Sequence, residues 1–263
     1  MKYRSILEIN HLDAAERIRI YRQLIPGKIY QIFAIDPVSF RNCRGEKVVQ
    51  FQTTQRHGFV SIDVKRLMSD RDPIFLLQLS DTPFFEQLEL SFIAIHDVRA
   101  QRFHIDRDEE GRDTLLGTAS RNLAEEKRAM DAGLAPGQIY PGLRLFRPFL
   151  QQLEEFASQI GCSMISAEAL FYHNAIHYEQ LGFGYLEGRR KMEEIHREFQ
   201  PGGILYARLG GSTPFRPKGA ERSVRGRSWA IHDGICEAPW IAPRMYKPVG
   251  RKIGVNTFPN QIF

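Results

Sequence analysis

The chain has 263 residues, 43% hydrophobic and 25% charged, the balance of an ordinary globular protein rather than of a disordered or fibrous one. No run approaches eighteen apolar residues, so no hydrophobic helix of membrane-spanning length is expected. The net charge of +5 is modest, and three widely spaced cysteines (Cys43, Cys162, Cys236) form neither a disulfide framework nor a zinc pattern. The opening "MKYRSILEINHLDAAERIRIYRQL" is interrupted by charges and lacks an apolar h-region, so no secretory signal is expected and the cytoplasm is the expected compartment.

Residues 13–25, "DAAERIRIYRQLI", read as a helix: Asp13 is a capping residue, Ile18, Tyr21 and Ile25 recur at near-helical spacing, and Pro26-Gly27 stops it. The texture then changes to strands. "KVVQFQTTQ" and "HGFVSIDVKRL" flank Arg56, while "PIFLLQLS" and "LELSFIAIHD" flank a turn at Asp81-Thr82-Pro83. "AQRFHIDRDEEGRDTLLGTASRN" is expected as two strands joined by a turn at 108–111. A short polar helix, "LAEEKRAMDAG", closes at Gly133 and is followed by the loop "LAPGQIYPG".

Residues 147–160 form the clearest helix. Phe149, Leu150, Leu153, Phe156, Ala157 and Ile160 share one face, Pro148 is accepted only in a first turn, and Gly161 suits the position just past the end. "CSMISAEAL" reads as a buried strand with Cys162 at its start, and 172–181 as a second short helix ending at Gly182. The strand "GFGYLEG", the charged helix "RRKMEEIHREF" and the strand "ILYARL" complete the ordered part.

From 210 onward Gly, Pro and Arg dominate without periodicity. That segment is expected to be irregular and to bury a few aromatics such as Trp229, Trp240 and Tyr246. Its basic stretch "RPKGAERSVRGR" reads as a solvated flexible loop. The alternative is contact with phosphates of a nucleic acid or anionic ligand, but no aromatics are interleaved for stacking, and nucleic acid is not an expected partner. Strand–helix–strand order over 147–209 belongs to an α/β sheet with helices packed on it. The expected organisation is one α/β domain over 1–209, with an N-terminal helix and strand extension, followed by the basic segment 210–263 packing on it.

The segment "GLRLFRPFLQQLEEFASQIGCSMISAEALFYHNAIHYEQLGFGY", residues 142–185, resembles the second half of GNAT-type acyl-CoA N-acyltransferases. In that family an amphipathic helix follows the cofactor-binding loop, a strand comes next, and then a helix ending in Tyr-x-x-Leu-Gly-Phe, matched here at Tyr178, Leu181, Gly182 and Phe183. The hairpin "RFHIDRDEEGRDTLLGTASRN" is similar to the family's early strand pair, so the resemblance covers about residues 100–209.

The resemblance implies a mixed, mainly antiparallel sheet flanked by helices, carrying N- and C-terminal extensions. It also implies transfer of an acyl group from acyl-CoA or an acyl carrier protein thioester to a small-molecule amine or amino acid. In the family two parallel strands splay apart to hold the pantetheine arm and thioester, which by correspondence are "PGQIYPGLRLF" (136–146) and "CSMISAEAL" (162–170), and a helix N-terminus receives the pyrophosphate. Tyr178 is then the candidate general acid for the leaving sulfur. The alternative is that its ring packs under the sheet.

The family's pyrophosphate loop, Gln/Arg-x-x-Gly-x-Gly/Ala, is absent. Pro141, Arg144 and Phe146 stand at its key positions, where large side chains obstruct the approach of phosphate to backbone N–H groups. The cofactor is therefore assigned to Gly142, Leu143, Arg144, Leu145, Phe146 and Arg147, with Arg144 and Arg147 supplying side-chain phosphate contacts. Phe171 takes the place of the family's frequent Asn seven residues before the tyrosine, with Asn174 nearby. Divergent relatives such as acyl-homoserine lactone synthases and long-chain N-acyl amino acid synthases look similar in layout. An acidic carrier protein is accordingly a further expected partner. The other reading is a catalytically degenerate fold that binds a ligand or macromolecule.

Glu168, His96 and Asp97 are candidates for the base that deprotonates the amine. His173 and His177, i and i+4 on one helix, share a face that suits a metal, with Glu168 as third ligand. The intervening residues lack the metalloprotease glutamate, and no metal is expected. His232, Asp233 and Cys236 in "RGRSWAIHDGICEAPW" raise a Cys/His hydrolase as a weaker alternative to a lid anchored by its tryptophans.

Overall fold

A computed structural model describes residues 3–83, 86–259 and 262. In chain order its helices and strands are α1 (Ile6–Asn10), α2 (Ala14–Tyr21), α3 (Gly27–Ile32), β1 (Val49–Thr53), β2 (Phe59–Val64), β3 (Phe75–Asp81), β4 (Gln87–Ile95), α4 (Leu123–Asp131), α5 (Phe146–Gln159), β5 (Met164–Glu168), α6 (Tyr172–Gln180), β6 (Gly184–Tyr185), α7 (Arg189–Glu198), α8 (Ile204–Ala207), α9 (Val224–His232) and β7 (Arg244–Pro248). The fold is α/β with a mixed seven-stranded sheet in the order β1-β2-β3-β4-β5-β7-β6. No helix among the described residues is long and apolar enough to cross a membrane.

The chain divides into two compact units. The first comprises Met1–Ala100, Gly142–Ala167 and Lys247–Arg251, and the second Gln101–Pro141, Glu168–Tyr246 and Lys252–Phe263.

In the first unit β1 to β4 are antiparallel neighbours, and β4 pairs with β5 in parallel. One sheet face is read directly from alternation: Val60, Ile62 and Val64 on β2 and Phe75, Leu77 and Leu79 on β3 are all fully buried. The apolar stripe of α5 meets this core, with Phe149 edge-on to Phe75 at 5.8 Å and Phe156 tilted on Tyr21 at 6.2 Å. Pro148 occupies the first turn of α5, and Gly161 just past its end takes φ 79°, as the sequence demands. Asp13 caps α2 by accepting from the N–H groups of Ala15 and Glu16. The carboxylate of Asp81, at the end of β3, accepts from the first N–H groups of α1, Ile6 at 2.8 Å and Leu7 at 2.9 Å. Gly58 makes this possible, since a Cβ there would lie 1.9 Å from that carboxylate.

In the second unit Phe103, Ile105, Ala129, Leu134, Phe215 and Trp229 form the core, and the Trp229 indole donates to the Leu134 carbonyl at 2.8 Å. β6 and β7 pair antiparallel through Gly184↔Tyr246 and Tyr185↔Met245.

Three expectations fail here. The strand pair expected over 100–122 is an isolated bridge, Arg107↔Asp113, and a 3-10 turn, Leu115–Gly117. Aspartates capture the backbone instead: Asp108 accepts from the N–H groups of Glu110 and Arg112, a local bonding pattern that competes with a ladder. "ILYARL" contains helix α8, not a strand, and the Ile204 N–H at its start donates to Glu198. Residues 210–263, expected to lack regular elements, contain α9 and β7, with Ser223 capping α9 through the Gly226 N–H. α1 and α3 are too short to leave a periodic signal.

Candidate functional site

β4 has two halves. From Gln87↔Met164 to Leu90↔Ala167 it is paired in parallel with β5, and the pairing goes no further. On the other side Leu90 faces Leu79 and Phe92 faces Gln78, so Ser91 is an extra residue without an opposite number. Such a bulge bends and twists the strand that carries it. Past it, Phe92–Ile95 continue with β3 but have no register with β5. Burial follows the same break. Leu88 and Leu90 are buried, whereas Phe92, Ile93, Ala94 and Ile95 are all half-buried. Four residues of strand edge span about 13 Å. The far end is closed where His96 bridges Gly142.

This wedge is not where the sequence reading put it. The cleft was expected between residues 136–146 and the strand at 162–170, but 136–146 is not a strand. Gly137 and Arg144 take positive φ (79° and 58°), and only Gly142 makes a bridge. The parallel neighbour of β5 is β4, and residues 142–145 instead lead from the bridge that Gly142 makes to His96 into α5.

At the start of α5 Leu145 occupies the cap position and offers no side-chain acceptor. The N–H groups of Phe146 and Arg147 have no acceptor within the helix, and Pro148 carries none. Arg144 and Arg147 are exposed on either side of this end. Arg144 holds a left-handed backbone, which costs a non-glycine residue about 1–2 kcal/mol. Phe146 is half-buried, its ring tilted against Phe149 at 5.8 Å. Leu143 is half-buried and Gly142 exposed.

The candidate bases differ. His96 sits at the closed end of the wedge, and its Nδ1–H donates to the Pro73 carbonyl at 3.0 Å, which leaves the lone pair on Nε2. Asp97 is held by Arg99 in two short contacts, 2.7 and 2.8 Å; these bonds keep its carboxyl below the usual value despite some desolvation. Glu168 is exposed at the end of β5.

Tyr178 and Asn174 belong to the second unit. The Tyr178 ring is buried and stacked on Phe183 at 4.9 Å, and burial pushes its phenol up to about 12. Asn174 is a cap: its Oδ1 accepts from the Phe171 N–H at 3.1 Å, and its Nδ2 lies 3.3 Å from His173 Nε2. That amide makes Nε2 an acceptor and puts the imidazole proton on Nδ1, which faces Ser228 Oγ at 2.9 Å. Desolvation, with the charges of His177, Arg225 and His232 added, pushes His173 down to about 3. Both ring nitrogens of His173 are thus engaged, by Ser228 and by Asn174. Among the described residues no three His, Cys, Asp or Glu side chains group as a metal site needs.

The sequence reading missed the strongest polar cluster, which lies wholly in the second unit. Glu126, on the otherwise apolar face of α4, is 2% exposed. Its Oε1 accepts from His232 Nε2 at 3.1 Å, and its Oε2 from Arg121. Arg121 also reaches Asp233 at 2.9 Å, and Asp233 accepts from Arg216 at 2.7 Å and from Thr213 at 2.6 Å. Burial works to raise the Glu126 carboxyl, but hydrogen bonds from His232 and Arg121, and their charges, outweigh it and hold it below the usual range. The available signal was a carboxylate three residues before Ala129 on a buried helical face.

This cluster corrects two readings. His232 and Asp233 are engaged by Glu126, Arg121 and Arg216, and burial pushes the Cys236 thiol up, the wrong direction for a nucleophile. The basic stretch is a solvated loop only in part, with Lys218 and Arg222 exposed. Arg216 is tied to Asp233, and Arg227, 1% exposed, donates to the Glu221 carbonyl at 2.7 Å and lies over the rings of Phe258 and Phe199 at 3.6 and 5.0 Å. Compared with protein-family models, with curated proteins and with solved structures, the chain matches none.

Proposed function

We propose that the chain is an acyltransferase-like protein that moves an acyl group from acyl-CoA or an acyl carrier protein to an amine. The observation that carries this is the parallel β4–β5 pair whose pairing stops at Leu90↔Ala167, one residue before the Ser91 bulge. The resemblance to GNAT-type N-acyltransferases calls for two such strands, with a helix N-terminus beside them. In this reading the thioester lies against residues 92–95, whose backbone has no β5 partner, and a main-chain N–H polarises its carbonyl. The uncapped start of α5, with Arg144 and Arg147, takes the phosphates. The amine nitrogen attacks the thioester carbon and the C–S bond breaks. The amine proton goes to His96 and the thiolate is protonated from water; the resemblance names Glu168 as the alternative base and Tyr178 as the acid, both residues of the second unit.

Isothermal titration with acetyl-CoA, a long-chain acyl-CoA, free coenzyme A and an acyl carrier protein tests the reading. Binding of at least one thioester is expected, and silence from all of them at millimolar concentration removes it. Undiminished turnover by Tyr178→Phe removes the role of the phenol while leaving the fold reading intact.

The second reading, a degenerate fold acting as a binding module, is favoured by Arg144 and Phe146 at positions where the family uses small residues. It predicts thioester binding without transfer to any amine tested.

A further inference from the structure

A second recognition surface lies in the first unit, at the opposite end of the strand order. β1 is a terminal strand of the sheet. The Asp81 N–H donates to the Gly58 carbonyl at 2.7 Å, which fixes the alternation along β2. Val60, Ile62 and Val64 then bond to β3, and Ser61 and Asp63 bond to Gln52 and Gln50 on β1. The main-chain N–H and C=O groups of Val49, Phe51 and Thr53 therefore point away from the sheet; Val49 is 2% exposed and covered, which leaves those of Phe51 and Thr53 at the edge.

Edge strands are ordinarily blunted by a charge, a proline, a bulge or extreme shortness. β6, at the other edge, is two residues long. β1, "VQFQT", has five residues, no charge, no proline and an unbroken register. Beside it opens a cleft of about 390 Å³ between residues 49–52 of β1, Lys47, and Arg17 and Ile18 of α2. Its floor is apolar and its rim cationic. Arg17 spends one guanidinium nitrogen on the carbonyls of Asn10 and Leu12, and among the described residues neither it nor Lys47 forms an ion pair.

We propose that this edge receives an extended acidic peptide segment of a partner protein, added to the sheet as a strand on β1. The peptide main chain bonds to Phe51 and Thr53, an apolar side chain enters the cleft, and a carboxylate pairs with Lys47 and Arg17. Charge complementarity selects an acidic strand over a neutral or basic one.

The test uses the full chain and a fluorescent peptide alternating valine and glutamate, with a valine–lysine peptide as comparison, followed by anisotropy. The acidic peptide is expected to bind and the basic one not, with affinity falling between about 0.05 and 0.2 M salt. Lys47→Glu, at an exposed position, should weaken binding by about three- to tenfold. Thr53→Pro removes an outward N–H without touching the Gln50 and Gln52 ladder, and should weaken binding while circular dichroism stays unchanged. Equal binding of both peptides, no binding at about 1 mM, or indifference to both variants would overturn the proposal. So would a concentration-dependent dimer in sedimentation that Thr53→Pro abolishes, which would assign the edge to a second copy of this chain.

Discussion

Two pairs of arginines look alike as sequence and have opposite fates. Arg144 and Arg147 stand exposed at the uncapped start of α5, while Arg216 and Arg227 are drawn into the second unit, one onto the buried Asp233 and the other between the rings of Phe199 and Phe258. The difference lies in what waits for each guanidinium. A cation enters an interior only where carboxylates, carbonyls or ring faces replace its water, and then it belongs to the fold. A cation left in water at a helix start costs little to leave there and remains available to an anion.

Stability should separate the two pairs first. Asp233→Asn leaves Arg121 and Arg216 without their shared carboxylate and should cost about 3–5 kcal/mol. For a chain of this size that lowers the melting temperature by on the order of 10 °C in calorimetry. A loss under about 1 kcal/mol would mean that the cluster is open to water. Arg227→Leu keeps the volume but strands the Glu221 carbonyl, and should cost roughly 1–3 kcal/mol in urea unfolding.

His173 sharpens the same contrast through pH. Its folded value is pushed from 6.5 to about 3, so the fold holds it neutral while the unfolded chain takes a proton below 6.5. Its contribution is complete above pH 6.5 and is lost progressively as pH falls towards 3. A series of unfolding midpoints should show this decline, and His173→Gln should flatten it.

The exposed pair should behave in the reverse way. Arg144→Ala with Arg147→Ala should change stability by less than about 0.5 kcal/mol yet weaken coenzyme A binding about tenfold or more. The smallest effect concerns nucleic acid. With Arg216 and Arg227 consumed internally and Lys218 and Arg222 exposed, residues 216–227 should contribute no steep salt-dependent affinity for duplex or single strands. A log–log salt slope in a filter-binding assay that falls by about two units on replacing Arg216 and Arg227 would contradict the burial of those side chains.

Local signals made much of the scaffold readable. The stripe of α5 repeats every three to four residues, the strands β1 to β4 alternate or run apolar between turn residues, and Gly161 and Gly182 end helices with positive φ. Each depends on neighbours within a turn or two, so a single sequence carries it. The strand pair expected over residues 100–122 failed for a local reason as well, because Asp108 offered its backbone closer partners than a second strand could.

What only the tertiary structure decided is where distant groups meet. Arg121 and Asp233 are separated by 112 positions and His232 and Glu126 by 106, and no periodicity announces either pair. The Ser91 bulge is equally silent, since it exists only in the register between β4 and its neighbours. The sequence by itself determined the helices and strands that carry a clear apolar period, and which of their faces turn inward, because hydrophobic burial is written in short-range spacing. The charge partners, the half-paired β4 and the bare edge of β1 depended on chain crossings and strand order, which spacing along the chain does not encode.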